Sequence, residues 1–95
     1  MTDPSLLVLS SLAGGKKHGY AIMEDIQSFA GVRLGPGTLY GAITRLEQRG
    51  LIRAADPRDR RQPYTITAAG RAYLNERLAN LGRVVRIGLQ RLHSA

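Results

Sequence analysis

The chain contains no cysteine, no tryptophan and a single phenylalanine among its 95 residues. Without cysteine there is no disulfide framework, no thiol nucleophile and no thiolate metal site, and an intracellular setting is the simplest expectation. Acidic residues are scarce as well, seven Asp and Glu against fourteen Lys and Arg, for a formal charge of +7. Lysine is itself rare: arginine outnumbers it twelve to two, and the planar guanidinium suits phosphate. A polyanion is the natural partner of such a chain, the alternative being an arginine-rich protein that is merely soluble; the placement of the charge decides between them. No charged start followed by an apolar core opens the sequence, and no apolar run approaches the roughly 18 residues of a membrane span. A soluble, cytoplasmic protein with no membrane partner is therefore expected. At this length one domain is expected, small enough that a second copy is a cheap source of further buried surface.

Chemistry-bearing constellations are missing too. His18 and His93 stand alone, far from any spaced ligand, so no metal is expected. Glu24 and Asp25 are neighbours on a helix and diverge, which does not make a catalytic pair. Ser5, Ser10 and Ser11 lie in an apolar helix with no base nearby in sequence, and there is no Gly-x-x-x-x-Gly-Lys phosphate loop. Neither an enzyme nor a cofactor is read here.

What is present is a series of short, well-punctuated elements. Residues 5–13 follow Asp3-Pro4, precede Gly14-Gly15 and read as a short, mostly buried helix. A second helix runs from Tyr20 to Ala30 before Gly31, with Ile22, Met23, Ile26 and Phe29 as its core stripe. Val32-Arg33-Leu34 bridges to a third helix, announced by the turn Gly35-Pro36-Gly37 and closed by Gly50 at the position where a left-handed residue is wanted. Leu51–Ala54 and Tyr64–Thr67 read as two strands around the charged turn 56–63. Thr67 is the N-cap of a last helix running to about His93.

The third helix is the most informative element. Leu39, Ile43 and Leu46 share one side, while at about 100° per residue Thr38, Tyr40, Gly41, Thr44, Arg45 and Gln48 collect on the other. Hydroxyls, an amide and an arginine are groups that read base edges or hold phosphates. Each has a plainer reading beside that one: Thr38 as a capping or first-turn residue, Tyr40 packed on the second helix, Gly41 as a close approach to either DNA or that helix. Arg45, Arg49, Arg53, Arg58, Arg60 and Arg61 face only Glu47, Asp56 and Asp59 between positions 45 and 61. The hairpin tip is thus positive, suited to a duplex backbone, although Asp56 and Asp59 are also placed to tether its arginines. In the last helix Leu74, Leu78, Leu81, Val85 and Leu92 follow a four-three spacing, with Gly88 in the remaining place of the series. That is a seam for another helix, read as a dimer interface in preference to internal packing. The expected architecture is mainly α: a winged helix-turn-helix of three helices and a two-stranded wing, with a long C-terminal dimerisation helix.

His18-Gly19-Tyr20-Ala21-Ile22, Gly37-Thr38-Leu39-Tyr40 with Leu46-Glu47 and Gly50-Leu51-Ile52, Arg61-Gln62-Pro63-Tyr64, and Thr65-Ile66-Thr67-Ala68-Ala69-Gly70 together resemble the PadR family of transcriptional regulators over roughly residues 5–75. The resemblance implies a homodimeric winged-helix protein that binds double-stranded DNA, usually a repressor. On that pattern residues 1–67 are the DNA-binding region and 68–95 the dimerisation helix of one compact domain. Carried onto this sequence, it implies groove contacts from Thr38, Tyr40, Gly41, Thr44 and Arg45, wing contacts from Arg58, Arg60 and Arg61, and backbone contacts from Lys17, His18 and Tyr20. Gly41 departs from the pattern, since many members place proline there. The short C-terminal part resembles the family's short subgroup. Some relatives bind flat aromatic compounds between subunits, but Tyr73 is the only aromatic residue of the last helix, so any small-molecule effector is unknown. Two other readings stand beside the repressor: a winged-helix module that docks another protein without specific DNA binding, and a binder of structured RNA.

Overall fold

A computed structural model describes residues 3–94; Met1, Thr2 and Ala95, and with them the outer bounds of the two expected regions, lie outside the described residues. The order is α1 (Pro4–Ala13), α2 (Gly19–Ala30), α3 (Pro36–Gln48), β1 (Ile52–Ala54), β2 (Tyr64–Ile66) and α4 (Ala68–His93). This is the expected winged helix-turn-helix with a long last helix.

α1 is the centre of the core, since its own sequence is apolar nearly all round: Leu6, Leu7, Val8, Leu9 and Leu12 are buried. Asp3 starts it by accepting the Ser5 N–H at 3.0 Å, and Pro4 occupies the first turn, where a missing N–H costs nothing. One polar side chain is buried with them, Ser11, and a buried hydroxyl needs a partner. It donates to Asp25 of α2 at 2.7 Å, and Lys17 joins the pair by donating Nζ to the Ser11 carbonyl at 2.6 Å.

α2 and α3 pack against α1 through Ile22 and Ile26, and through Leu39, Ala42, Ile43 and Leu46. Phe29 departs from its expected place in the core. It is 51% exposed, because α2 outruns the core in its last turn, where residues 27–30 all face outward; Met23 is half-buried against the core. The strands pair antiparallel with Ile52 opposite Ile66 and Ala54 opposite Tyr64. The Lys17 backbone bridges to Tyr64, donating to its carbonyl at 3.1 Å and accepting from its N–H at 2.8 Å, which ties the entry of α2 to the wing.

A three-way joint holds α4. Thr67 caps the helix by accepting the Gly70 N–H at 3.0 Å, donates its hydroxyl to the Gly50 carbonyl at 2.7 Å, and donates its N–H to the Leu51 carbonyl at 3.0 Å. Gly70 is required there, because any Cβ would collide with the Leu51 carbonyl oxygen. One turn on, Leu74 closes the core at 5% exposure. Leu74 therefore leaves the expected dimer seam: it lies too near the start of α4, where that helix still covers α1. Beyond it α4 runs outward, giving extents of 58 × 26 × 19 Å.

Candidate nucleic-acid interface

α3 begins earlier than its turn signal suggests. Gly35 is the N-cap, Pro36 the first helical residue, and no side chain caps the end. Thr38 therefore lies inside the first turn and is not the cap, while the N–H groups of Gly37 and Thr38 are left for an external acceptor. With Leu39, Ala42, Ile43 and Leu46 turned inward, the opposite side exposes Thr38, Tyr40, Thr44, Arg45 and Gln48, with Gly41 half-buried among them. The Thr44 hydroxyl donates back to the Tyr40 carbonyl at 2.9 Å. Tyr40 packs on α2 and stays partly exposed. Its ring end lies against Gly19, where a Cβ would come within 2.8 Å of Cζ, yet the residue is 49% exposed. Gly41 is not explained by α2, since the only atom outside its own helix backbone near its Cβ position is Arg45 Nη1 at 3.4 Å.

At the start of α2 the three expected backbone contacts separate. His18 is the N-cap, its Nδ1 accepting the Ala21 N–H at 3.4 Å. Tyr20 points outward. Lys17 does not fit the expectation of a free phosphate contact: its ammonium is turned inward to the carbonyls of Ser11 and Gly15 and to Asp25, 3.9 Å away. The Ser11 and Gly15 carbonyls at and just beyond the C-terminal end of α1, with a half-buried carboxylate, are a better local partner for a cation than solvent.

The wing turn is a chain of aspartate-centred bonds. Asp56 accepts the Arg58 N–H at 3.0 Å, and Asp59 accepts the Arg61 N–H at 2.9 Å and its Nε and Nη2 at 3.4 Å. The backbone N–H of Arg61, then its guanidinium, hold the Asp59 carboxyl below its ordinary 3.8, and His18 lies near enough to add to the effect. Arg61 is thus partly neutralised by its neighbour. Arg58 and Arg60 are exposed, with no side-chain partner among the described residues. They are the available cations of the tip.

A second cluster was not anticipated. Arg49, the C-cap of α3, lies with its guanidinium carbon 4.8 Å from the centre of the Tyr73 ring, and Arg77 donates Nη1 to the Tyr73 hydroxyl at 2.9 Å. Arg49 first, and Arg77 after it, hold that phenol below its ordinary 10.0. Tyr73 and Arg77 at i and i+4 were legible as neighbours; nothing in the sequence signals Arg49. The cluster joins the end of α3 to α4.

α4 itself carries a wide uncovered face. Leu78, Leu81, Val85 and Leu92 of the expected seam are exposed, and Val84, Ile87 and Leu89 extend it. Six of these side chains, all but Ile87, fall within an arc of about 140° at 100° per residue. Among the described residues no group of three or more potential metal ligands gathers, and no helix is long and apolar enough to cross a membrane.

Comparison with known proteins agrees with this architecture. A model of the transcriptional regulator PadR-like family matches residues 8–76. An uncharacterized 37.1 kDa protein in a transposon of Streptomyces fradiae is 44% identical over 82 residues, 86% of this chain but 24% of that protein, so the chain spans about a quarter of that relative's length. The transcriptional regulator Rv3488 of Mycobacterium tuberculosis is 41% identical over 75 residues, 75% of this chain and 68% of that one. Among solved structures, a PadR family transcriptional regulator from Eggerthella lenta superposes with a TM-score of 0.76 at 26% identity, covering 96% of this chain and 82% of that one.

Proposed function

Because the chain belongs to the PadR-like family of transcriptional regulators, we propose that it is a repressor that binds a palindromic operator as a homodimer, each copy laying the front of α3 in a major groove. The observation that carries the reading is the outer side of α3, which is exposed, carries Arg45 and no carboxylate among Thr38, Tyr40, Gly41, Thr44, Arg45 and Gln48, and has unused N–H donors at its start. Such a face meets a groove wall without repulsion, and its hydroxyl, amide and guanidinium groups match base edges and phosphates. Arg58 and Arg60 then follow the flanking backbone, with Arg61 as a weaker contributor because Asp59 holds it. At the start of α2 the half-buried His18 and the exposed Tyr20 are placed to support a neighbouring phosphate.

The dimer rests on α4. Full burial of an aliphatic side chain is worth about 1.5–3 kcal/mol, so the exposed Leu78, Leu81, Val85 and Leu92 favour a second copy of the same face. Two-fold pairing would present two α3 helices to half-sites about one helical turn, roughly 34–36 Å, apart. Occupying such a site denies it to polymerase, which is the basis for repression. Fluorescence anisotropy at physiological salt tests the proposal, with duplexes from the upstream region of the protein's own gene set against random duplexes of equal length. Preferential, saturable binding of an upstream duplex is expected; equal binding of all duplexes would remove the specific form of the reading.

A further inference from the structure

We propose that the crease between α3 and the wing binds a small organic cation, one that carries an amidinium, guanidinium or ammonium head. The crease is a cavity of about 310 Å³ lined by Glu47 of α3 and by Ala54, Asp56, Pro57, Gln62 and Tyr64 of the wing. That volume lies at the lower end of the range for small-molecule sites, roughly 300–1,000 Å³. Its charge runs against that of the whole chain. Fourteen Lys and Arg stand against seven Asp and Glu, and six of the arginines fall between positions 45 and 61, yet none of them lines this cavity. Two carboxylates do. Glu47 makes no side-chain hydrogen bond or ion pair among the described residues, and Asp56 gives one oxygen, Oδ1, to the Arg58 N–H at 3.0 Å and keeps the other.

Tyr64 supplies an independent sign of a ligand. It is only 8% exposed, and its hydroxyl has no partner among the described residues, although every fully enclosed polar side-chain atom there has one. A phenol enclosed without a partner is costly, so this oxygen keeps access to solvent, and the cavity that Tyr64 lines is where it has it. Burial first, and the Glu47 carboxylate after it, hold the phenol above its ordinary 10.0, which keeps it protonated at neutral pH and puts Glu47 within electrostatic reach. Glu47, the second oxygen of Asp56, the Gln62 amide and the Tyr64 hydroxyl thus offer acceptors to one small space. Its complement is a positive group with several N–H donors, because charge-assisted hydrogen bonds are the strong ones. The Ala54 methyl and the Pro57 ring suit a short hydrocarbon body behind that head. No third His, Cys, Asp or Glu joins the two carboxylates among the described residues, as a bare divalent ion would favour.

The test uses the full chain without DNA, so its outcome is independent of the DNA-binding reading. Amide NMR shifts are followed while benzamidinium chloride is added, with neutral benzamide and magnesium chloride of matched ionic strength as the other arms. Benzamidinium should move the amides of Glu47, Ala54, Asp56, Gln62 and Tyr64 and saturate with a Kd on the order of 1 mM; the other two should leave them in place. Glu47→Gln should weaken binding roughly 5-fold, and Glu47→Gln with Asp56→Asn, which keeps an acceptor for the Arg58 N–H, roughly 25-fold. Tyr64→Phe, which keeps the ring, should weaken it by roughly 2- to 10-fold. The proposal is overturned if benzamidinium gives no saturable change at these amides, if its changes gather instead on Val84 and Ile87 of α4, or if benzamide or magnesium reproduces them. An affinity left unchanged by the double carboxylate substitution or by Tyr64→Phe overturns it equally.

Discussion

Replacing Gly70 by alanine tests how α4 is joined to the wing. A Cβ at position 70 would lie 2.8 Å from Ile66 Cγ1 and 3.0 Å from the Leu51 carbonyl carbon, with the carbonyl oxygen closer still. The Ile66 side chain can turn away. The Leu51 carbonyl cannot, since it is main chain between α3 and β1 and already accepts the Thr67 N–H. The first turn of α4 must therefore lift off. That movement strains the packing by about 1–3 kcal/mol, weakens a backbone hydrogen bond worth about 1 kcal/mol, and loosens a threonine cap worth about 1 kcal/mol. Alanine returns about 1 kcal/mol of helix propensity. The net loss is about 2–4 kcal/mol, a fall in melting midpoint of at least ~10 °C for a chain of this size. Gly82→Ala is the control, because position 82 lies in the same helix with open space around it; it should be neutral or stabilising by up to about 1 kcal/mol. Thermal melts followed by far-UV circular dichroism, at equal protein concentration because a dimer's midpoint depends on it, measure both. A Gly70→Ala protein that melts at or above the wild type would refute the joint as described.

Other consequences can be measured independently. Arg58→Ala with Arg60→Ala should lower affinity for every duplex and flatten the salt slope by up to roughly two units, whereas Arg61→Ala, already paired to Asp59, should do less; equal effects from all three would contradict the tethering. Val85→Asp should split the dimer, since a charge in the seam loses its water without gaining a partner; a mutant still dimeric by light scattering would move the interface elsewhere. Asp59 has a carboxyl held below 3.8 in the folded wing, so its contribution is present above that value and is lost as pH falls through the lower folded one. An NMR titration of the Arg61 amide should accordingly show a midpoint below 3.8, and a midpoint at or above it would contradict the Asp59–Arg61 bonds. In an alkaline absorbance titration Tyr73→Phe should remove a step that lies below 10.0, while Tyr64, pushed up chiefly by burial, should ionise above 10.0; a titration below 10.0 unchanged by the substitution would contradict the Arg49–Tyr73–Arg77 cluster.

The elements were legible because short-range chemistry marks them. Asp3-Pro4, His18-Gly19, Gly31, Gly50 and Thr67 are starts and stops whose geometry depends on one or two residues, and Gly31 and Gly50 adopt the positive φ values, 68° and 72°, that their positions suggest. Apolar periodicity likewise separates the inner from the outer side of α3. What periodicity cannot tell is where a neighbouring element ends. Phe29 has the right spacing but lies past the core, and Leu74 has the seam's spacing but lies before α4 leaves it. The candidate site suffers the same loss, because spacing does not say where a long side chain goes. Lys17 is turned onto α1 and Asp25 by contacts between separate helices, and Arg49 finds Tyr73 across twenty-four positions of sequence. Tyr64 reads as an alternating strand residue, but it is the bridge to Lys17 that fixes the wing beside α2.

The central claim is that DNA meets the outer side of α3 with the wing beside it. Amide and side-chain NMR shifts recorded while an enriched duplex is added test it most directly. The account predicts that the changes gather on Thr38, Thr44, Arg45 and Gln48 of α3 and on Arg58 and Arg60 of the wing, with Val84, Val85 and Leu92 of α4 unmoved. Changes confined to the apolar face of α4, or no changes along α3, would contradict it.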